Sequence, residues 1–187
     1  VVAMSVSLVA DGGSVLNAAG STKNVTATSL RIEADEAIGA AGRHLSTNVT
    51  TISALSRGTD VGAGIFVSED DAITVDTVAV TVTRFEANAS TASVDDLAQS
   101  DLVTLARNGH IVVVAGGTIT VNEGDADDTG VSAHGSGSVR LDANGSGNDV
   151  TLNADVKSTT GQLTVTAADA VNVNADLVTG STGTVLI

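Results

Sequence analysis

The sequence predicts an all-β fold, a parallel β-helix (β-solenoid) in which each coil takes about 20–24 residues. A phrase of Gly-x-aliphatic-x-aliphatic recurs in the C-terminal half, beginning at Gly117, Gly137, Gly161 and Gly183. These glycines stand 20, 24 and 22 residues apart, which is too short for a domain and suits one coil of a β-ribbon. The composition agrees, because the chain has no Pro, Cys, Trp or Tyr and is rich in Val, Thr, Ala, Asp, Gly and Asn. Such a mixture favours strands joined by tight turns.

The third observation is period-two alternation, which is clearest between Asp101 and Asn122. Alternating aliphatics there form three inward pairs eight residues apart: Val103 and Leu105, Ile111 and Val113, Ile119 and Val121. Between the pairs lie residues 106–109 and 115–117, which contain Gly and Asn and tolerate sharp bends. Three short strands and two corners predict one coil of a triangular prism.

The same aliphatic positions can be followed along the chain to count coils. They recur at Leu8, Leu30, Ile52, Ile73, Ile119, Val139, Leu163 and Val185. The interval from Ile73 to Ile119 is expected to hold two coils, the middle one passing near Val94, so the chain should contain roughly eight or nine coils. If this register is right, Ile119, Val139, Leu163 and Val185 are buried in successive layers of parallel strands.

A second repeat predicts contacts between neighbouring coils. Residues 150–156 are echoed 21 residues later by residues 171–177, which places Asn153 over Asn174 and Asp155 near Asp176. The asparagines either share amide hydrogen bonds along the axis, as in ladders of stacked strands, or face solvent at turns. Two stacked aspartates repel unless they are exposed or share a cation.

Residues 78–100 interrupt the rhythm. Val78, Val80 and Val82 alternate well, but residues 84–90 lose the aliphatic pairs. We predict a longer loop or a bulged coil here, and this is where a local binding surface is expected.

The chain is strongly acidic, with a formal net charge of −14. That charge disfavours binding to nucleic acid and to anionic membrane surfaces. It either keeps an exposed rod soluble or binds divalent cations. No signal peptide or membrane-spanning run is visible. Strand-like alternation is cut at both ends, in residues 1–8 and 184–187, so we expect residues 1–187 to be a single solenoid segment of a much longer repetitive chain.

Two stretches could hold a metal. Glu123, Asp125 and Asp127 place acids at alternate positions, a spacing that can direct several carboxylates at one hard cation. They lack the distal Glu of a helix-loop-helix calcium site, so a solvated turn is the favoured interpretation. Residues 144–149 resemble one nonapeptide of a calcium-binding β-roll, but those sites need tandem copies. We therefore predict no metal ligands and no cofactor, with calcium as the alternative.

No catalytic group emerges from the sequence. Adjacent acids such as Asp70 and Asp71, or Asp127 and Asp128, point to opposite faces of a strand and do not converge on their own. The histidines share no ligand spacing; they are His44, His110 and His134. Phe66 and Phe85 are the only aromatic rings apart from histidine, whereas sugar clefts usually offer aromatic platforms. We predict that the chain is not an enzyme and has no catalytic or cofactor-binding residues.

One longer phrase carries a resemblance to a known family. Residues 30–38 match residues 65–73, and more loosely 163–171, as a strand, a polar bend and an acid-Ala-aliphatic entry to the next strand. This pattern resembles the repeats of the filamentous-haemagglutinin-like family of giant bacterial surface proteins. The resemblance implies a right-handed β-helix that forms a structural or adhesive shaft of a secreted or surface-displayed adhesin, located outside the cell or on its surface.

The open ends of such a coil expose unpaired backbone groups and aliphatic side chains, and this sets the expected partners. They are neighbouring repeats of the same chain or end-to-end copies of itself, with host or cell-surface glycans as candidate ligands. The alternative to this function is a β-helical carbohydrate-active enzyme or a phage fibre fragment, because parallel β-helices serve in those roles too.

Overall fold

The computed structural model describes residues 2–17, 22–60 and 62–187. It confirms the predicted all-β parallel β-solenoid, with about seven turns. The strands are β1 (Ser5–Ala10), β2 (Val25–Ala34), β3 (Leu45–Ser56), β4 (Gly64–Glu69), β5 (Ile73–Val75), β6 (Val78–Phe85), β7 (Thr91–Gln99), β8 (Leu102–Thr104), β9 (His110–Ala115), β10 (Ile119–Val121), β11 (Thr129–Ala133), β12 (Val139–Ala143), β13 (Val150–Leu152), β14 (Asp155–Ser158), β15 (Leu163–Ala167), β16 (Val171–Val173), β17 (Leu177–Val178) and β18 (Val185–Leu186).

The parallel strands stack into three faces. Face A consists of β1, β2, β3, β8, β11, β14 and β17; face B of β4, β9, β12, β15 and β18; face C of β5, β10, β13 and β16. Strand β3 is long enough to pair with β4, β5 and β8 in turn, so it passes two corners and joins the faces. The triangular coil predicted from the sequence is therefore confirmed.

Columns of aliphatic side chains fill the interior. On face B, Ile111, Val139 and Leu163 lie in register and are almost fully buried. On face C, Ile119 lies between Ile73 and Val150. Each buried Val, Leu or Ile contributes about 1.5–3 kcal/mol, so similar layers sum to a stable stack without large aromatic rings.

The predicted inward pairs are correct on two strands and shifted on the third. Ile111 with Val113 and Ile119 with Val121 are buried as predicted. On β8, however, Leu102 and Thr104 point inward, and Leu105 is largely exposed. The alternation changes phase at Asp101, where φ is 67°, and a one-residue shift turns every side chain to the other face.

The predicted column of four buried aliphatics is correct for Val139 and Leu163. It is wrong for Val185, which is not buried, and for Ile119, which lies on another face. Val139, Leu163 and Val185 stack on face B, although Val185 lies in the last layer and is 44% exposed. Ile119 belongs to face C instead. The loop between β10 and β11 lengthens this turn of the solenoid. The interval from Gly117 to Gly137 therefore leads from face C to face B and does not close one turn.

The predicted count of eight or nine coils is also wrong, because the interval from Ile73 to Ile119 holds one turn. Strands β6 and β7 form an antiparallel hairpin, in which Val94 lies opposite Val82. The solenoid passes beneath it without a break, since Ile73 pairs directly with Ile119. The predicted interruption at residues 78–100 is thus a hairpin that leaves the shaft.

The base of the hairpin packs on the outer side of face A. Val78 and Val80 are buried there. Arg31 Nε donates to the Leu97 carbonyl at 3.1 Å, and Gln99 Nε2 donates to the Ile32 carbonyl at 3.0 Å. Both bonds tie β2 of the shaft to β7, the returning strand of the hairpin.

The asparagine ladder is confirmed and is longer than predicted. Asn174 Nδ2 donates to Asn153 Oδ1 at 2.8 Å, and Asn153 Nδ2 donates to Asn122 Oδ1 at 3.0 Å. Asn122 Nδ2 in turn donates to Asp76 Oδ2 at 3.0 Å. The ladder therefore crosses four consecutive turns at the end of face C.

Asp155, which lies next to Asp176 in the stack, has a hydrogen-bond donor and a positively charged partner. Asp155 Oδ1 accepts the Asp176 backbone N–H at 2.9 Å, and Asp155 Oδ2 lies 3.0 Å from Lys157 Nζ. These interactions, the backbone hydrogen bond first, lower the pKa of Asp155 below its ordinary value.

Candidate functional site

Three carboxylates meet at the corner between faces C and A, where the hairpin joins the shaft. Asp101, Asp125 and Asp127 each present a carboxylate oxygen, and these oxygens lie within 4.8 Å of one another. We call this group the acidic corner. It combines two consecutive turns, because Asp101 precedes β8 whereas Asp125 and Asp127 lie in the loop between β10 and β11.

Asp101 is placed by the return of the chain from the hairpin. Its backbone carbonyl accepts the Ala54 N–H at 2.8 Å, which fixes it against face A. The residue is only 4% exposed. Its Oδ1 is buried and has no hydrogen-bond partner among the described residues, an unusual state for a buried polar atom.

Asp125 and Asp127 are placed by a loop that folds around a third acid. Glu123 Oε1 accepts the N–H of Asp125 at 2.9 Å, that of Asp127 at 3.1 Å and that of Ala126 between them. Asp127 Oδ1 accepts the Thr129 N–H at 2.7 Å. The loop therefore holds its own shape, and both aspartates remain exposed.

The loop and the hairpin base are in close contact beside the acidic corner. Thr77 Oγ1 lies 2.8 Å from Ser100 Oγ and donates to the Gly124 carbonyl. A Cβ on Gly124 would lie 2.7 Å from Thr77 Oγ1 and 2.8 Å from Ser100 Oγ. A side chain at position 124 would therefore push the side chains of Thr77 and Ser100 aside.

The electrostatics of the corner are unfavourable for the buried acid. Burial is the largest cause of a rise in the pKa of Asp101 to about 7. Neighbouring carboxylates add to this rise, because like charges disfavour ionisation; they belong to Asp125, Asp127, Glu123 and Asp76.

The sequence prediction named two of the three clustered residues. It proposed Glu123, Asp125 and Asp127 as the set that could direct carboxylates at one cation, but Glu123 caps the loop instead. Asp101 was missed. It lies 24 residues before Asp125, one coil length, so a search for acids repeated at the coil period would have found it.

The other acidic candidates do not converge. Asp70 forms an ion pair with Lys23, in which Asp70 Oδ2 lies 2.6 Å from Lys23 Nζ. Asp71 Oδ2 accepts a hydrogen bond from Asn48 Nδ2 at 2.8 Å. In the stretch 144–149, Asn148 Nδ2 donates to the Gly116 carbonyl at 2.9 Å, and Asp149 Oδ1 accepts the Ala170 N–H at 3.0 Å. These two residues hold a corner of the solenoid.

Among the described residues, no histidine belongs to a group of three or more metal-ligating side chains. His44 is partly buried, its ring centroid 6.0 Å from that of Phe66, and burial lowers the pKa of His44. His110 Nδ1 accepts the Ser138 N–H at 2.9 Å. His134 is exposed. Across residues 2–17, 22–60 and 62–187, Asp101, Asp125 and Asp127 are the one group of three or more metal-ligating side chains found close together.

A surface depression of about 320 Å³ lies elsewhere, near the N-terminal turns. Its lining consists of Leu16, Asn17, Ala40, Gly42 and Arg43. Arg43 is the charged residue among these five.

Comparison with known proteins found no matching protein-family model, curated protein or solved structure. Among the described residues, no helix is long and apolar enough to cross a membrane.

Proposed function

We propose that the solenoid is a structural shaft segment of a large secreted or surface-displayed bacterial adhesin, as its resemblance to filamentous-haemagglutinin-like repeats implies. The observation that supports this role is the continuity of the stack. Aliphatic columns run through successive turns of each face, and the asparagine ladder runs parallel to them. A solenoid that repeats one layer can be extended by adding further layers.

The last layer is suited to such an extension. Strands β16, β17 and β18 each pair on one side only among the described residues. Several of their aliphatic side chains are exposed, including Val173, Val178 and Val185. An open edge of this kind favours pairing with another strand, and we propose that another solenoid turn, or a second copy of this chain, covers it.

The hairpin is the proposed adhesive element. It projects from the shaft with Phe85 73% exposed and Leu97 84% exposed. Exposed aromatic and aliphatic side chains on a projecting element offer contact surface to a ligand such as a cell-surface glycan. The shaft would then carry the hairpin, and catalysis is not part of this proposal.

Sedimentation velocity from micromolar to millimolar concentration tests the shaft. We expect head-to-tail association of the chain, which Val185→Lys should abolish by placing a charge in the exposed last layer. Leu97→Lys, an equal change on the hairpin, is the matched control and should associate like the original chain. A monomer at all concentrations, or turnover of a polysaccharide, would contradict the proposal.

A further inference from the structure

We propose that Asp101, Asp125 and Asp127 form a Ca²⁺ site that fastens the base of the hairpin to the next turn of the solenoid. This site is independent of the shaft proposal. It would give the fold a local, ion-dependent contact at the point where the hairpin leaves the regular stack.

The first support is the convergence of charge. Three carboxylates from two turns bring their oxygens within 4.8 Å. Like charges at that distance repel one another, and no Lys or Arg forms an ion pair with any of the three among the described residues. A bound cation would remove that repulsion.

The second support is the state of Asp101, which is independent of the clustering. Its side chain is buried beneath the loop, and Oδ1 has no partner among the residues that the structure describes. A buried carboxylate without hydrogen bonds or a counter-charge is costly. A cation held with Asp125 and Asp127 would supply the missing interaction.

The chemistry of the ligands favours a hard divalent ion, because all three groups offer carboxylate oxygens. Calcium binds oxygens at about 2.3–2.6 Å and accepts irregular geometry, so two ligand oxygens on opposite sides of it stand up to about 5 Å apart. Magnesium binds at about 2.0–2.1 Å in a strict octahedron and would need opposite oxygens within about 4.2 Å. Water would complete the coordination, since both loop aspartates are exposed.

The loop is already shaped for this role. Glu123 holds the backbone of residues 125–127 through three N–H bonds, so the loop aspartates need little ordering when an ion binds. Gly124 lets the loop approach Thr77 and Ser100. The ion would therefore join parts that already touch, which limits the entropy lost on binding.

Calorimetric titration of the full chain with CaCl₂, after removal of divalent ions with a chelator, tests the site. We expect one Ca²⁺ per chain and weaker binding of Mg²⁺. Even residues that only support a metal ligand are worth about 10–100-fold in affinity, so Asp101→Asn and the double variant Asp125→Asn/Asp127→Asn should each weaken Ca²⁺ binding by at least about 10-fold.

Asp128→Asn is the matched control. Asp128 lies in the same loop with φ at 64°, a conformation that Asn tolerates. The Asp128→Asn variant loses the same charge as Asp101→Asn. Its affinity for Ca²⁺ should stay close to that of the original chain. If Asp128→Asn and Asp101→Asn weaken binding equally, general charge attraction explains the result and the proposed site is wrong.

Amide hydrogen exchange gives a second readout that does not depend on a substitution. Added Ca²⁺ should slow exchange at Thr77, Ser100 and residues 123–129, and leave β12 and β15 unchanged. Absence of calcium binding at millimolar concentration, or protection spread evenly over the solenoid, would overturn the proposal.

Discussion

Two buried acids at corners of the solenoid have opposite surroundings. Glu69 ends β4, is 3% exposed and accepts four hydrogen bonds. Its Oε2 accepts from Thr47 Oγ1 at 2.7 Å and from the Val49 N–H at 3.0 Å, and its Oε1 accepts from the N–H groups of the next two residues. Asp101 is equally buried, but its Oδ1 has no partner among the described residues.

The difference shows that burial alone does not reveal what an acid does. Glu69 replaces the water it lost with donors from its own corner and from the preceding turn, so it stabilises the fold as it stands. Asp101 is surrounded by other carboxylates and gains no such donors. A buried acid of the second kind is a candidate for ligand binding.

Replacing Glu69 should have the largest effect. Glu69→Ala leaves a buried hydroxyl and backbone N–H groups without an acceptor, so we expect a loss of about 3–5 kcal/mol in the free energy of unfolding. Urea denaturation followed by far-UV circular dichroism measures this. Asp60→Ala, at an exposed acid, is the control and should change stability by less than about 0.5 kcal/mol. Equal effects at the two sites would contradict the role given to Glu69.

Replacing Asp101 should act in the opposite direction when chelator is present. Asp101→Asn removes a buried negative charge and adds an amide that can donate to Asp125 or Asp127, so stability at pH 8 should rise by about 1–3 kcal/mol. With excess Ca²⁺ the sign should reverse, because only the original chain keeps all three ligands. A loss of stability in chelator would show that Asp101 is already satisfied.

The difference in stability between Asp101→Asn and the original chain should depend on pH. The pKa of Asp101 in the folded state, about 7, lies above its ordinary value of 3.8. Between these values the folded chain holds a proton that the unfolded chain releases, so this group's contribution to stability falls as pH rises from about 4 to 7. The difference in stability between Asp101→Asn and the original chain should therefore grow across that window and level off above it. Unfolding in chelator buffers from pH 4 to 8 measures this, and a difference independent of pH would contradict it.

The asparagine ladder should give the smallest effect. Asn153 bonds to rungs on both sides, whereas Asn174 bonds to one rung of the ladder, and both are exposed. We expect Asn153→Ala to cost about 1 kcal/mol and Asn174→Ala about half of that. Urea denaturation of both variants is the measurement. A larger loss for Asn174→Ala than for Asn153→Ala would contradict the expectation that the loss follows the number of ladder hydrogen bonds removed.

The sequence was sufficient for the repeating parts of the fold. Ile111, Val113, Ile119 and Val121 alternate as they must on a strand with one buried side, and the echo at Asn153 and Asn174 predicted a contact between turns. These features are local or recur at the coil period, so they can be predicted directly from the amino-acid sequence.

The sequence was insufficient where the chain leaves that period. Val78, Val80 and Val82 alternate in the hairpin as they would in a coil of the solenoid, because a strand alternates in either setting. Alternation therefore could not show that the chain turns back after β6 and pairs with β7. The one-residue shift of the alternation at Asp101 depends on the positive φ of that residue. The neighbouring residue types do not predict this φ. The acidic corner follows from both events, which is why only its loop half was predicted.

The direction of the hydrogen bonds between turns has a mechanical consequence. They run along the shaft, so tension between its two ends would pull turns away one after another instead of shearing a whole sheet. Each turn of about 22 residues would release about 70 Å of chain, while the stack would shorten by only about 4.8 Å. The interval from Ile73 to Ile119 contains about twice as many residues as that from Val150 to Val171. The turn that carries the hairpin would therefore give the longest extension, and an ion at its base would set the force at which it opens.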